Sequence, residues 1–478
     1  MILTTKKYTV SIGLEVHAQI ASNIKLFSSS KAESFGYVPN TSINIFDLGA
    51  PGALPLINAE PVLKAVKVCK ALNMQINPVL TFDRKHYFYF DLPCGYQITQ
   101  FYSPIGKNGY LPFWTFDKEM NVKILQLHLE TDAGKAHHKD NSIDIDLNRS
   151  GVALMEIITE PDLHSAEEVV FFLKMLQNVL RDVDGSNADM DKGQFRADVN
   201  ISVSKTSTLG TRNEIKNLNS FSSITKAIEY EVKRQIDVLE AGGVIKQETR
   251  AFDLDTNTTI SLRRKETSAG YCYMPDPDIP KIRIKQDIID RQKVNTTLLP
   301  YNLCSSWIEL GLDNKDSLAL VDNTILRQLF SQTFSDSNNE FKRKVAKYIL
   351  GPVAEYLNEH GEYCSIETIE EIVQLIHSNI ISHMQSKTIL AHVCTEKITP
   401  KQAIEKLGIK QISDNETLRS IIMQVIKDNP NALAKYKAGK IALKDFFIGR
   451  VMKETKGQAN PVLLTKLTEE ILNKDELL

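Results

Sequence analysis

With 478 residues the chain is too long for one hydrophobic core, so two to four domains are expected. Its 42% hydrophobic and 24% charged residues fit a globular protein, and a formal net charge of −2 excludes a molecule that is basic throughout, so any nucleic-acid site must be a local patch. Six scattered cysteines include no C-x-x-C pair, and no apolar run can span a bilayer, which predicts reduced thiols and no membrane segment.

Strand patterning starts by about Tyr8, which leaves no room for a targeting leader and predicts a cytoplasmic protein. In the first strand Ile12, Leu14, Val16 and Ala18 share one face, and Glu15, His17 and Gln19 share the other. A helix follows from about Pro61, placed at the first helical position, to Met74. Leu127–Asp132 offers His128, Glu130 and Asp132 on one face, and the acidic run Leu154–Asp162 contributes Glu156. Ser165 and Glu168 predict a capping box ahead of Val169, Phe172, Leu173, Leu176, Val179 and Leu180 at helical spacing. Arg196–Val203 presents Arg196, Asp198, Asn200 and Ser202, and Thr211–Lys216 presents Arg212, Glu214 and Lys216.

Ser223–Ala241 reads as a helix with Ile224, Ala227, Ile228, Val232, Ile236 and Leu239 inward, ended by Gly242-Gly243. Pro275–Pro280 cannot be helical and reads as a rigid connector. After about residue 293 strand signals stop. Helices are predicted near Asn339–Glu359, Ser365–Ser378, Pro400–Leu407 and Glu416–Lys427. The last part is locally basic, with Lys437, Lys440, Arg450, Lys453 and Lys456 as candidate RNA-phosphate contacts or, equally, a solvated helix face. Phe446 and Phe447 are expected to fill a small core.

These elements predict an α+β fold, a mainly antiparallel sheet with helices on its dry face, followed by helices alone. Strands that each carry Glu, Asp, His or Arg on one face would together form a floor of carboxylates. Such a floor repels itself unless a cation sits in it, which points to Mg²⁺. Arginine and lysine beside it suit phosphoryl chemistry. A merely solvated polar face is the competing reading. There is no P-loop, no dinucleotide fingerprint and no nucleophile elbow, and Cys94 reads as a turn cysteine.

The series IGLEVHAQ (Ile12–Gln19), APGALPLIN (Ala50–Asn58), FDRKHYFYFDLPCGYQITQ (Phe82–Gln100), HLETDAGK (His128–Lys135), NRSGVALMEIITEPD (Asn148–Asp162), RADVNISV (Arg196–Val203), GTRNEIKNLNS (Gly210–Ser220), QETRAF (Gln247–Phe252) and KETKGQANP (Lys453–Pro461) resembles the B-subunit family of glutamyl-/aspartyl-tRNA amidotransferases over nearly the whole chain. The resemblance implies a cradle similar to glutamine synthetase that binds ATP and Mg²⁺ over residues 1–292, a helical domain over 293–405 and a YqeY-like tRNA-binding tail over 406–478. It implies ATP-dependent activation of the side-chain carboxylate of Glu-tRNA(Gln) or Asp-tRNA(Asn). Ammonia then comes from a separate amidase A subunit, and a small C subunit joins the two. Carried over by motif, Glu15, His17 and Glu130 fall on metal and nucleotide positions, with Glu156 in a matching acidic motif. Arg196, Arg212 and Lys216 are candidates for phosphate contacts. Many members have Glu where this chain has Thr131, which predicts a metal shell one acid short. Some members hold zinc on four cysteines; here those positions are Ser28, Ser30, Asn44 and Asp47, so no zinc is expected. A carboxylate–amine ligase for a free amino acid and a non-catalytic RNA scaffold remain as alternatives.

Overall fold

The structure is a computed structural model that describes residues 7–264, 271–333, 338–409, 414–455 and 458–473. The chain divides into two compact units, with the boundary between Ser306 and Trp307.

The first unit is built on a nine-stranded sheet. Its strands are β1 (Thr9–Gln19), β4 (Gly106–Trp114), β5 (Glu119–Thr131), β6 (Ala153–Thr159), β7 (Phe195–Ser204), β8 (Asn213–Lys216), β9 (Glu248–Asp253) and β10 (Thr258–Arg264), with Gln75–Ile76 at one edge. The spatial order is β10-β9-β8-β7-β1-β6-β5-β4 and then the edge pair. Only the β8–β9 pairing is parallel among them. Alternation works in β1 as predicted: Ile12, Leu14, Val16 and Ala18 are all buried, while Glu15, His17 and Gln19 are partly open.

Helices cover the dry face. Helix α1 spans Ala59–Ala71, α2 Ala166–Asp182 and α3 Phe221–Glu240. Asn58 caps α1, so Pro61 is the third helical residue rather than the first. Its missing N–H costs nothing there, because the first four amides of a helix have no internal acceptor. In α2 the predicted stripe is buried, and Phe172 meets Phe113 of β4 edge-on at 5.8 Å. Ser165 Oγ accepts from the Glu168 amide at 3.1 Å, but Glu168 Oε2 accepts from the His164 amide, so only half of the predicted capping box forms. Ser165→Ala is expected to cost about 1 kcal/mol in denaturant unfolding.

Helix α3 departs from its predicted stripe. Ile224, Ala227 and Ile228 are buried, but further along Glu231 and Gln235 are fully buried, while Val232, Ile236 and Leu239 are only half-buried. The reason is a polar layer. Glu231 accepts from Arg234 (2.9 and 2.6 Å), Gln235 (2.8 Å) and Thr259 Oγ1 (2.9 Å), and lies 3.4 Å from Arg250. A buried carboxylate is tolerated when several donors converge on it.

A second, three-stranded sheet has β2 (Asp83–His86) between β3 (Tyr96–Thr99) and β11 (Cys272–Pro275). The connector after Pro275 is non-helical, as predicted, and is pinned by Arg84 to Asp276 (2.9 Å) and Asp278 (2.7 Å).

Near the N-terminus Ser28, Ser30 and Asn44 come together around the Asp47 carboxylate. Ser28 and Ser30 hydroxyls donate to it at 2.9 and 2.6 Å, and the Asn44 amide at 3.0 Å. Lys25 Nζ lies 3.2 Å away, and both side chains of this ion pair are wholly buried.

In the second unit every described element is helical, which fits the loss of strand signals. The predicted helix near Asn339–Glu359 runs through a π-turn at Ile349–Val353 that contains Pro352. A wider turn accommodates the ring that an α-helix would exclude. The other three predicted helices fall at Ile366–His377, Pro400–Lys406 and Asn415–Lys427. His383–Glu396 was not predicted, although Ser382 and Gln385 form a full capping box at its start. Leu418, Ile422, Phe447, Val451, Leu464 and Leu467 share a small core near the C-terminus. Phe446 does not join it as expected: it stays 37% exposed, with the Arg450 guanidinium 5.4 Å from its ring centre.

Candidate active site

The sheet register assembles the site. His17 in β1 lies opposite Arg196 in β7 on one side and opposite Glu156 in β6 on the other. Glu156 in turn lies opposite His128 in β5, and Glu15 opposite Asp198. Directly opposed residues share a face, so the four predicted polar faces are one surface.

On that surface Glu156 is the hub. His17 Nε2 is 3.8 Å from Glu156 Oε1 and 3.7 Å from Glu15 Oε1. His128 Nδ1 is 3.5 Å from Glu156 Oε2. Two groups result, Glu15–His17–Glu156 and His128–Glu130–Glu156, each with one ligand atom per residue within 4.8 Å of the others. Burial, then the charges of Glu130 and Glu15, push the Glu156 carboxyl well above its usual range. Burial pushes Glu130 up as well, but its hydrogen bond with Glu156 and the charges of Lys85, His17 and His128 prevail and hold it low. Crowded carboxylates behave this way: their pKa values are pushed apart, one up and one down.

Side chains from the small sheet complete the site. Gln97 donates to Glu130 Oε2 at 2.6 Å and Thr99 to Oε1 at 3.1 Å. Lys85 is held above its ordinary value: burial works against its charge, but Glu130, Tyr273 and Glu156 outweigh it. Lys85, Gln97 and Thr99 were not singled out from the sequence, although all three lie in the quoted stretch Phe82–Gln100.

A cleft of about 280 Å³ opens beside the hub, lined by His17, Gln97, Asp132, Arg196, Asp198 and Lys216 among others. Asp132 ties its rim together, 3.1 Å from Arg196, 3.6 Å from Arg149 and accepting from Gln19 at 3.0 Å. Burial would raise its carboxyl, but Arg196 and Arg149 bring it down to about 2. Lys216 contacts Asp198 and lies 3.0 Å from Glu214, and these carboxylates outweigh burial to keep it charged.

The structure therefore brings Glu15, His17, Glu130, Glu156, Arg196 and Lys216 into one region. Arg212 precedes β8, is exposed and does not line the cleft. Thr131 corrects the expectation of a depleted metal shell. It follows Glu130 in β5, so its side chain leaves by the opposite face, where its Oγ1 accepts from the Ile98 amide at 3.1 Å. An acid there would not point at the hub. Of the candidate tail residues, Lys437, Lys440, Arg450 and Lys453 are exposed, and Lys456 lies outside the described residues.

The donor set suits a divalent ion. Carboxylate oxygens are the ligands of choice for Mg²⁺, and imidazole nitrogens extend the set toward Mn²⁺. His128 Nε2 is buried and has no hydrogen-bond partner among the described residues.

The fold and site define an α+β protein with a carboxylate–histidine centre beside a cleft of mixed charge. The chain belongs to the GatB/GatE family: residues 10–290 match its catalytic domain and residues 328–472 match the family's "GatB domain". It is 42% identical over 469 residues to the B subunit of the aspartyl/glutamyl-tRNA(Asn/Gln) amidotransferase of Persephonella marina, covering 96% of this chain and 98% of the relative. The proteins of the same name from Rickettsia canadensis and Orientia tsutsugamushi are each 40% identical, over 98% and 99% of both chains. No described helix is long and apolar enough to cross a membrane.

Proposed function

We propose that the chain is the tRNA-dependent activating component of an amidotransferase. It uses ATP to phosphorylate the side-chain carboxylate of glutamate on tRNA(Gln), of aspartate on tRNA(Asn), or of both, in the cytoplasm. The carboxylate oxygen attacks the γ-phosphorus, ADP leaves, and ammonia then displaces phosphate from the acyl phosphate to give the amide. A carboxylate is a poor electrophile, and phosphorylation turns its oxygen into a leaving group. Ammonia comes from an amidase A subunit, and a small C subunit completes the assembly.

The observation that carries this reading is the pair of carboxylate–histidine groups sharing Glu156. Glu15, His17, Glu130, His128 and Glu156 would hold Mg²⁺, which when bound neutralises charge on the ATP phosphates. Arg196 and Lys216 line the cleft, and their role in this reading is to pair with phosphate oxygens. Arg212 is left out of this assignment because it is exposed and away from the cleft. The polar sheet face plays the part of a cradle of the glutamine-synthetase kind. Residues 406–478 form the YqeY-like tail whose exposed Lys437, Lys440, Arg450 and Lys453 meet tRNA phosphates, after a helical domain over 293–405.

In the complex with both partners, ATP hydrolysis is expected to require Glu-tRNA(Gln) or Asp-tRNA(Asn). Hydrolysis driven by free glutamate would point to a small-molecule ligase, and none with either substrate would point to a scaffold.

A further inference from the structure

The small sheet carries a row of aromatic rings that this chemistry does not use. Its register sets Tyr273 opposite Lys85 and Lys85 opposite Gln97, and Gln97 holds Glu130. This face of the sheet therefore starts at the carboxylates. Rings in mutual contact continue outward from it. Phe101 stacks on Tyr273 with centroids 3.9 Å apart and planes 18° apart. Tyr102 meets Phe101 edge-on at 5.0 Å. Tyr271 meets Tyr273 at 6.5 Å and Tyr87 at 5.5 Å, and Lys85 Nζ lies 4.9 Å from the Tyr271 ring centre.

Three of these rings stand open. Phe101, Tyr102 and Tyr271 are 47%, 58% and 48% exposed. Contiguous open rings beside a site mark a surface that something else covers. Their chemistry narrows what that is. A charged lysine sits among them, and Tyr102, Tyr271 and Tyr273 add hydroxyls, which a purely apolar protein face would leave unpaired. Unpaired nucleotides suit both features, since each has a base to stack, polar base edges for the hydroxyls and a phosphate for the lysine.

We propose that Phe101, Tyr102, Tyr271 and Tyr273 form the stacking platform for the unpaired 3′-terminal bases of the charged tRNA. This rests on the tRNA-dependent reading above. The amino acid is esterified to the terminal nucleotide, so a base held on this wall carries the side-chain carboxylate toward Glu130 and Glu156.

The test uses the assembled complex with Tyr102→Ala and Tyr271→Ala, both on exposed rings. Each is expected to raise KM for the charged tRNA by about 5- to 150-fold, the range for losing one stacked base. KM for ATP should stay unchanged, and Tyr271→Phe, which keeps the ring, should recover most of the loss. A 2-aminopurine at the 3′ terminus should be quenched on binding the wild-type complex and not Tyr271→Ala. An unchanged tRNA KM overturns the proposal. So does a rise confined to ATP, which would assign the rings to its adenine, or loss of the complex on gel filtration, which would assign them to a contact with a partner protein. A wild-type complex with no tRNA-dependent amidation would instead remove the functional reading itself.

Discussion

Glu156→Gln is expected to lower tRNA-dependent amidation by at least about 100-fold while the fold and the partner's glutaminase activity persist. Glu156 belongs to both carboxylate–histidine groups, and burial, then the charges of Glu130 and Glu15, push its carboxyl well above its usual range. Glutamine preserves its volume and can still hydrogen-bond to Glu130. What it cannot do is ionise, so it offers one neutral oxygen where Mg²⁺ would meet a charged carboxylate. Even residues that only orient a metal ligand cost 10- to 100-fold when removed, and a shared ligand should cost more. Glu15→Gln, which touches one group only, should be the milder variant. Amidation by Glu156→Gln within a few-fold of wild type would remove Glu156 from the metal centre.

Glu231→Ala is expected to destabilise the first unit by about 3–5 kcal/mol, read as a fall in its thermal midpoint. Glu231 is fully buried and accepts from Arg234, Gln235 and Thr259. Removing it leaves the Arg234 guanidinium without this partner and strands two polar donors in a layer closed to water. Arg250 keeps Glu248 at 2.5 Å, so the loss falls chiefly on Arg234. Glu240→Ala is the matched control. It breaks an exposed pair with Lys7 at 2.9 Å and should leave the midpoint where it was. Equal effects of the two variants would show that burial of Glu231 contributes nothing special.

Alternation made the polar faces of β1, β5, β7 and β8 legible, because period two depends only on near neighbours in the chain. The centre of the site was less so. Glu156 matters because β6 lies between β1 and β5, and its pairing with β1 joins segments more than a hundred residues apart. The same limit hid Lys85, Gln97 and Thr99, which reach the carboxylates from a different sheet. Family motifs placed Thr131 beside Glu130 in sequence, and the pleat then sent it the other way. In α3, apolar spacing favoured Val232 and Ile236 because no local signal announces that strands opposite will supply partners for Glu231.

The buried Lys25–Asp47 pair has a consequence for how this region persists. Its positive charge is bolted to the chain rather than borrowed from solution. Losing either side chain would leave the other charge buried alone, so the two positions are constrained together. The loops it fastens therefore depend on two side chains that arrive together whenever the polypeptide is made.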